Sequence, residues 1–318
     1  MQMAGASTLD SWRERVGERT YAKDERSDVW MRYIHRDGTH AGGEHVQDTV
    51  GSQVVDPRFE HRQELVQIGV DAWRKDLSTH TPHVVGLFLA AGRTTADVAH
   101  QAVAVVDQVE AAGSITVDSK ILGAYWSGMN ASGGYLDVVA QYVDHDLRLK
   151  SPDQLHDTKG SGWGASVEMG RTFDTGSAWS WTPQAQVTWQ QVTMDDVIVG
   201  DGRHTFGTYR YDSNDSLVGR LGLAARYQSS PRFAGWIRAD VSHEFEGENT
   251  VAYVPQIRGS QVPTLTSTLA GTRYGLTAGA DLRLGERASL FGSAGYEQAS
   301  GNSDDNSWNA RVGFRADW

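Results

Sequence analysis

Five carboxylates (Asp71, Asp137, Glu168, Asp240 and Asp281) and four arginines (Arg32, Arg220, Arg238 and Arg273) sit where their segments alternate with apolar residues. Acids and guanidinium groups gathered on one face offer two kinds of chemistry. They can pair as ions, as a charged segment crossing a narrow space would require, or neighbouring acids can move protons. Other motifs for chemistry are weak. His243-Glu244 lies on a strand and lacks the second helical histidine of a metal-dependent protease. The eleven histidines show no ligand spacing. Asp195-Asp196 and Asp201-Gly202 fall in a loop, where they read either as a calcium site or as a solvated acidic turn. Cysteine is absent, which removes disulfides and thiolate chemistry, and no Gly-x-Ser-x-Gly or phosphate loop occurs. The expectation is a chain without catalytic residues, cofactor or metal.

The elements that must position these groups are strands. The last segment, 308–318, sets Trp308, Ala310, Val312, Phe314, Ala316 and Trp318 against Asn309, Arg311, Gly313, Arg315 and Asp317. Its length exceeds the five or six residues of an average soluble strand and fits the nine to eleven of a membrane-crossing one. A slip of one residue would aim Arg311 and Arg315 at lipid, at roughly 2–4 kcal/mol each near the midplane.

Eleven more alternating segments precede it. They lie near 29–36, 64–72, 83–92, 115–127, 134–147, 162–173, 178–192, 217–227, 233–245, 274–284 and 288–296. Their polar faces add Gln141, Gln184 and Gln186 to the acids and arginines above, and these twelve residues are the expected pore lining. The segment 83–92 is nearly all apolar and ambiguous in facing. Connections alternate between long (37–63, 93–114, 148–161, 193–214, 246–271, 299–307) and short (73–82, 128–133, 174–177, 228–232, 285–287). Long outer loops and short periplasmic turns with an even strand count predict an all-β fold: a twelve-stranded antiparallel transmembrane β-barrel.

Composition agrees. Eleven Trp, eleven Tyr and 35 Gly suit interfacial girdles and tight turns, and a net charge of −11 argues against a nucleic-acid surface. Mean hydropathy of −0.47 does not exclude a barrel, since half of each strand faces a polar lumen. No signal peptide precedes the strands, so the chain is expected to be the C-terminal piece of a longer precursor. Residues 1–27 differ from the rest. Leu9, Trp12 and Val16 form a helical stripe, with Asp10 or Ser11 as caps and Arg13, Glu14, Arg15, Glu18 and Arg19 around it. This helix is either a solvated terminal one or one threaded through the pore. A second helix is expected over 95–110, with Val98, Ala102, Val106 and Val109 on one face.

Several stretches carry a resemblance. Asp28-Val29-Trp30-Met31-Arg32, Leu65-Val66-Gln67-Ile68-Gly69-Val70-Asp71, Gly134-Tyr135-Leu136-Asp137-Val138-Val139-Ala140-Gln141-Tyr142 and Gly279-Ala280-Asp281-Leu282-Arg283-Leu284 occur in order, ending in Arg311-Val312-Gly313-Phe314-Arg315. The chain resembles the C-terminal translocator (β) domain of type V autotransporters of the pertactin-like group, over 28–318. The resemblance implies residues 1–27 as passenger junction and α-helix in the pore, and 28–318 as an outer-membrane translocator that exports and anchors an N-terminal passenger. It implies membrane lipid, the barrel-assembly machinery and the chain's own passenger as partners, and a Gram-negative outer membrane as location. It makes Val312, Phe314, Ala316 and Trp318 an assembly signal. A monomer is expected. Some members cut the passenger at an asparagine in the pore, with luminal acids assisting, and Asp137 and Glu168 are the candidates here. The first asparagine, however, is Asn130, so 1–129 hold no such nucleophile. The alternatives are an outer-membrane porin-like channel, a barrel enzyme, or a soluble β-sandwich.

Overall fold

The computed structural model describes residues 2–17, 28–41, 44–48, 51–55, 57–76, 81–101, 109–151, 154–200, 204–211, 213–256, 264–268, 271–300 and 305–317. Twelve long antiparallel strands close into a barrel. In chain order they are Asp28–Ala41, Pro57–Asp76, Pro82–Gln101, Val109–Met129, Gly134–Lys150, Leu155–Arg171, Trp179–Met194, Asn214–Ser230, Phe233–Glu244, Gly271–Arg283, Ala288–Ala299 and Asn306–Asp317. A two-residue strand, Phe173–Asp174, adds to the seventh. First and last strands pair from Asp28↔Asp317 to Thr39↔Asn306, and every other neighbour pair follows chain order. No edge is left in the barrel wall, as a bilayer demands.

Alternation fixes what each face meets. Met31, Ile68, Leu87, Leu89, Leu122, Trp163, Val187, Leu221, Leu276, Val312 and Phe314 are exposed on the outside, while Arg32, Gln67, Asp137, Glu168 and Arg238 are buried inside. Aromatic pairs mark two girdles. Tyr142–Trp163 (5.0 Å) and Tyr296–Trp308 (4.6 Å) lie toward the long-loop end, and Trp179–Tyr227 (4.9 Å) toward the short turns. Trp179 and Trp189 of the seventh strand stand ten residues apart. At about 3.3 Å per residue and a tilt of about 40°, that is a height of about 25 Å, the thickness of an apolar barrel band.

The strands outrun the band on one side. The second to fourth hold 20, 20 and 21 residues, against 12 in the last. Their projecting outer faces carry solvated cross-strand ion pairs, among them Arg62–Asp37 at 3.0 Å and Arg93–Asp118 at 2.7 Å. The helix expected over 95–110 is therefore wrong. Residues 95–101 continue the third strand and 109–110 begin the fourth, while 102–108 lie outside the described residues. Pairing of Thr95↔Thr116 and Asp97↔Ser114 satisfies the backbone that a helix would have satisfied internally.

Three stretches expected to be plain loops also fold. Glu44–Asp48 with Gly51–Val55, Val197–Gly200 with Thr205–Tyr211, and Glu248–Pro255 with Thr264–Thr268 form hairpins. The hairpins join into a six-stranded sheet over the outer rim. Its hairpins rise from the connections after the first, seventh and ninth strands.

Candidate functional site: the plugged lumen

Residues 2–17 occupy the lumen. Sequence periodicity predicts one helix through Leu9 to Val16, whereas the segment makes two short ones, Gln2–Ala6 and Trp12–Val16. The break follows from competition for side chains. Asp10 is drawn away to Arg311 (2.8 Å) and Arg32 (3.4 Å) on the wall. Ser11 occupies the N-cap position but makes no side-chain cap bond, its hydroxyl going to Glu14 at 3.0 Å. Wall contacts outweigh a cap worth about 1 kcal/mol. Gly17 ends the second helix at φ 68°, where an added Cβ would meet Asp281 and Phe291.

The plug's charges meet opposite charges. Arg15 donates twice to Asp137, at 2.6 and 3.0 Å, and its guanidinium lies 4.6 Å from the centre of the Tyr125 ring. Glu14 accepts from Arg238 at 3.0 Å and pairs with Arg311 at 3.1 Å. Arg32, fully buried, donates to the carbonyls of Glu14 and Ser7 and to Gln67. Arg315 donates to the Val16 carbonyl at 2.8 Å. Amides serve the uncapped backbone: Gln186 donates to the Leu9 carbonyl and Gln141 to that of Gly5, both at 2.8 Å. The wall thus satisfies carbonyls at the C-terminal ends of both short helices.

The residues expected to line the pore make these contacts. Asp137 and Glu168 are register partners on the fifth and sixth strands. Glu168 accepts from Arg220 at 2.9 Å and from the Tyr135 hydroxyl at 2.7 Å. Arg220 and Arg238 both approach Asp240 at 3.7 Å. Asp71 accepts from the Tyr125 hydroxyl at 2.6 Å, Arg273 pairs with Asp305 at 2.8 Å, and Gln184 lies against Gly222. Of the pore-helix residues, Leu9, Trp12, Arg15 and Val16 are buried and Arg13 is half-buried. Val312 and Phe314 face outward and Ala316 is half-buried. Trp318, Glu18 and Arg19 lie outside the described residues.

The lumen is not polar all round, and here the sequence reading needs correction. Trp30, Ile34, Leu65, Val84, Phe88, Ile121, Tyr125, Val139 and Val143 of the first five strands point inward and bury Leu9, Trp12 and Val16. Gly69 and Gly86 make room, since a Cβ would overlap the Trp30 and Tyr125 rings respectively. The signal was the segment 83–92, apolar on both faces because both are dry. On the opposite side a cavity of about 250 Å³ remains between the plug and the polar wall, bordered by Gln186, Gln190, Arg220, Arg238, Asp240 and Glu297. Among the described residues no cluster of three His, Cys, Asp or Glu could hold a metal ion.

A closed barrel with an apolar exterior, two aromatic girdles and a lumen stopped by its own N-terminal segment defines a plugged outer-membrane β-barrel. The chain belongs to the autotransporter beta-domain family, whose pattern matches residues 29–295. It lies in the outer membrane of a Gram-negative bacterium. Among similar proteins, the pertactin autotransporter of Bordetella bronchiseptica is 30% identical over 211 residues, covering 63% of this chain and 22% of that protein. The adhesin BmaC autotransporter of Brucella suis is 36% identical over 132 residues, 40% of this chain and 4% of that protein. The chain thus spans about a fifth or less of these relatives' length. Its fold matches the transport unit of AIDA-I from Escherichia coli with a TM-score of 0.72 at 13% identity, covering 100% of this chain and 97% of that one. The beta domain of the Bordetella autotransporter BrkA matches at 0.63 and 21% identity, covering 92% and 100%.

Proposed function

We propose that this barrel exports an N-terminal passenger to the cell surface and then anchors it, with residues 1–27 as the junction and 28–318 as the translocator. One observation carries this reading: the direction of the plug. Gly5 contacts Gln141 and Gln190, Trp12 packs tilted on Tyr135 at 5.7 Å, and Arg15 and Val16 reach Asp137 and Arg315. The chain therefore descends from the long-loop end toward the short turns as it approaches Asp28. Anything joined ahead of Gln2 leaves through the outer mouth.

The luminal charges hold this plug and do not break bonds. Asp137 is occupied by Arg15 and by the Ser127 hydroxyl, and Glu168 by Arg220 and Tyr135, which leaves neither acid poised to activate an amide. The role is transport. We further infer a monomer, delivered by the barrel-assembly machinery through Val312, Phe314, Ala316 and Trp318 at the end of the chain.

The test is an epitope inserted ahead of Met1, read by antibody on intact cells. Labelling of intact cells is expected. Labelling only after the outer membrane is permeabilised would reverse the polarity and remove the export reading.

A further inference from the structure

The lipid-facing wall carries a groove of about 770 Å³ near its periplasmic edge. Leu136, Met169, Pro183, Ala185 and Leu221 line it, and Arg171 and Phe173 stand at its turn-side end. Its origin is local. Pro183 has no N–H to give, so the ladder between the sixth and seventh strands stops at Gln184↔Gly170 and resumes at Trp181↔Phe173. A 2.9 Å bond between the Thr172 and Thr182 hydroxyls crosses the gap.

Arg171 ends the sixth strand there, facing out, within the girdle formed by Phe173, Trp179 and Trp181. Its Nε donates to the Ser132 carbonyl at 3.3 Å and its guanidinium lies 5.0 Å from the centre of the Phe173 ring. No carboxylate pairs with it among the described residues. The outward arginines at the other end differ, since Arg62, Arg93 and Arg148 each have an aspartate within 3.0 Å. A cation without an acid at headgroup depth, beside a trough of aliphatic side chains, matches a phosphate with an acyl chain attached.

We propose that this groove binds one anionic phospholipid, its phosphate on Arg171 and an acyl chain along Leu136, Met169 and Leu221. The site needs the barrel to lie in a membrane but does not depend on passenger export, so the two can fail separately.

Native mass spectrometry of the full chain in detergent, with equimolar phosphatidylglycerol and phosphatidylcholine of the same acyl chains, tests it. The unaltered chain is expected to retain phosphatidylglycerol over phosphatidylcholine by about tenfold, because the choline cation offsets the phosphate charge beside Arg171. Arg171→Gln brings the ratio to about one, and Ala185→Phe lowers phosphatidylglycerol retention by filling the groove. Arg232→Gln, in another periplasmic turn, leaves the ratio unchanged. Equal retention of both lipids by the unaltered chain, or full preference in Arg171→Gln, overturns the site. Heat-modifiable migration certifies folded variants. If Arg171→Gln does not fold, Ala185→Phe decides, and unchanged retention there overturns the site.

Discussion

Glu14 lies buried between Arg238 and Arg311, and so carries more of the plug's attachment than any exposed pair could. Removing one partner of a buried pair leaves the others charged and unmatched, at about 3–5 kcal/mol. Glu14→Gln does this in part to two arginines at once, since Arg311 keeps Asp10 at 2.8 Å and Arg238 keeps Asp240 at 3.7 Å. The 250 Å³ cavity beside them admits water to Arg238, which softens the loss toward the lower figure. Glu14→Gln is therefore expected to lower the temperature at which the folded form is lost on a heat-modifiability gel. Arg148→Gln, whose partner Asp157 is equally solvated, should leave it unmoved. Equal shifts in the two would mean the luminal network adds no more than a surface pair.

Among the elements, the last strand shows how far period-two reading reaches. Its expected facing is the observed one: Trp308, Val312 and Phe314 are exposed to lipid, while Asn309, Arg311 and Arg315 are buried in the lumen. Phe314→Arg puts a cation near lipid at roughly 2–4 kcal/mol and is expected to prevent outer-membrane assembly. Arg315→Ser removes the bond to the Val16 carbonyl and a 3.9 Å pair with Asp28, but puts no charge into lipid and should still assemble. Comparable amounts of both in outer-membrane fractions would reject the facing. Most strands were legible this way because lipid on one side and polar lumen on the other enforce alternation. Where both sides are apolar or both are wet, the signal fails. The inward-facing Phe88 could not be told from its lipid-facing neighbours in 83–92, and Asp97 to Gln101 looked helical because their strand had already left the membrane. Asp10 read as a helix cap, since nothing local announces Arg311, 301 residues on.

At the scale of the whole molecule, the plug divides the lumen into a dry half and a wet half. Leu9, Trp12 and Val16 pack against the first five strands as a core packs, and the polar strands opposite keep a water-sized gap. Apolar burial holds the segment in place, and the ring of charges sets its depth: Asp10 and Glu14 toward Arg311 and Arg238, and Arg15 toward Asp137. A narrow gap lined by fixed charges passes ions poorly, whereas a twelve-stranded barrel emptied of its plug has a continuous aqueous path. Single-channel conductance should therefore rise severalfold when residues 1–27 are deleted. A smaller rise is expected for Trp12→Ala in the full chain, which loosens the dry side while leaving Asp10, Glu14 and Arg15 paired. Conductance unchanged by the deletion would mean that the segment does not close the pore in the membrane. A rise in Trp12→Ala equal to that of the deletion would mean that apolar packing alone holds the segment, with the charges serving only to align it.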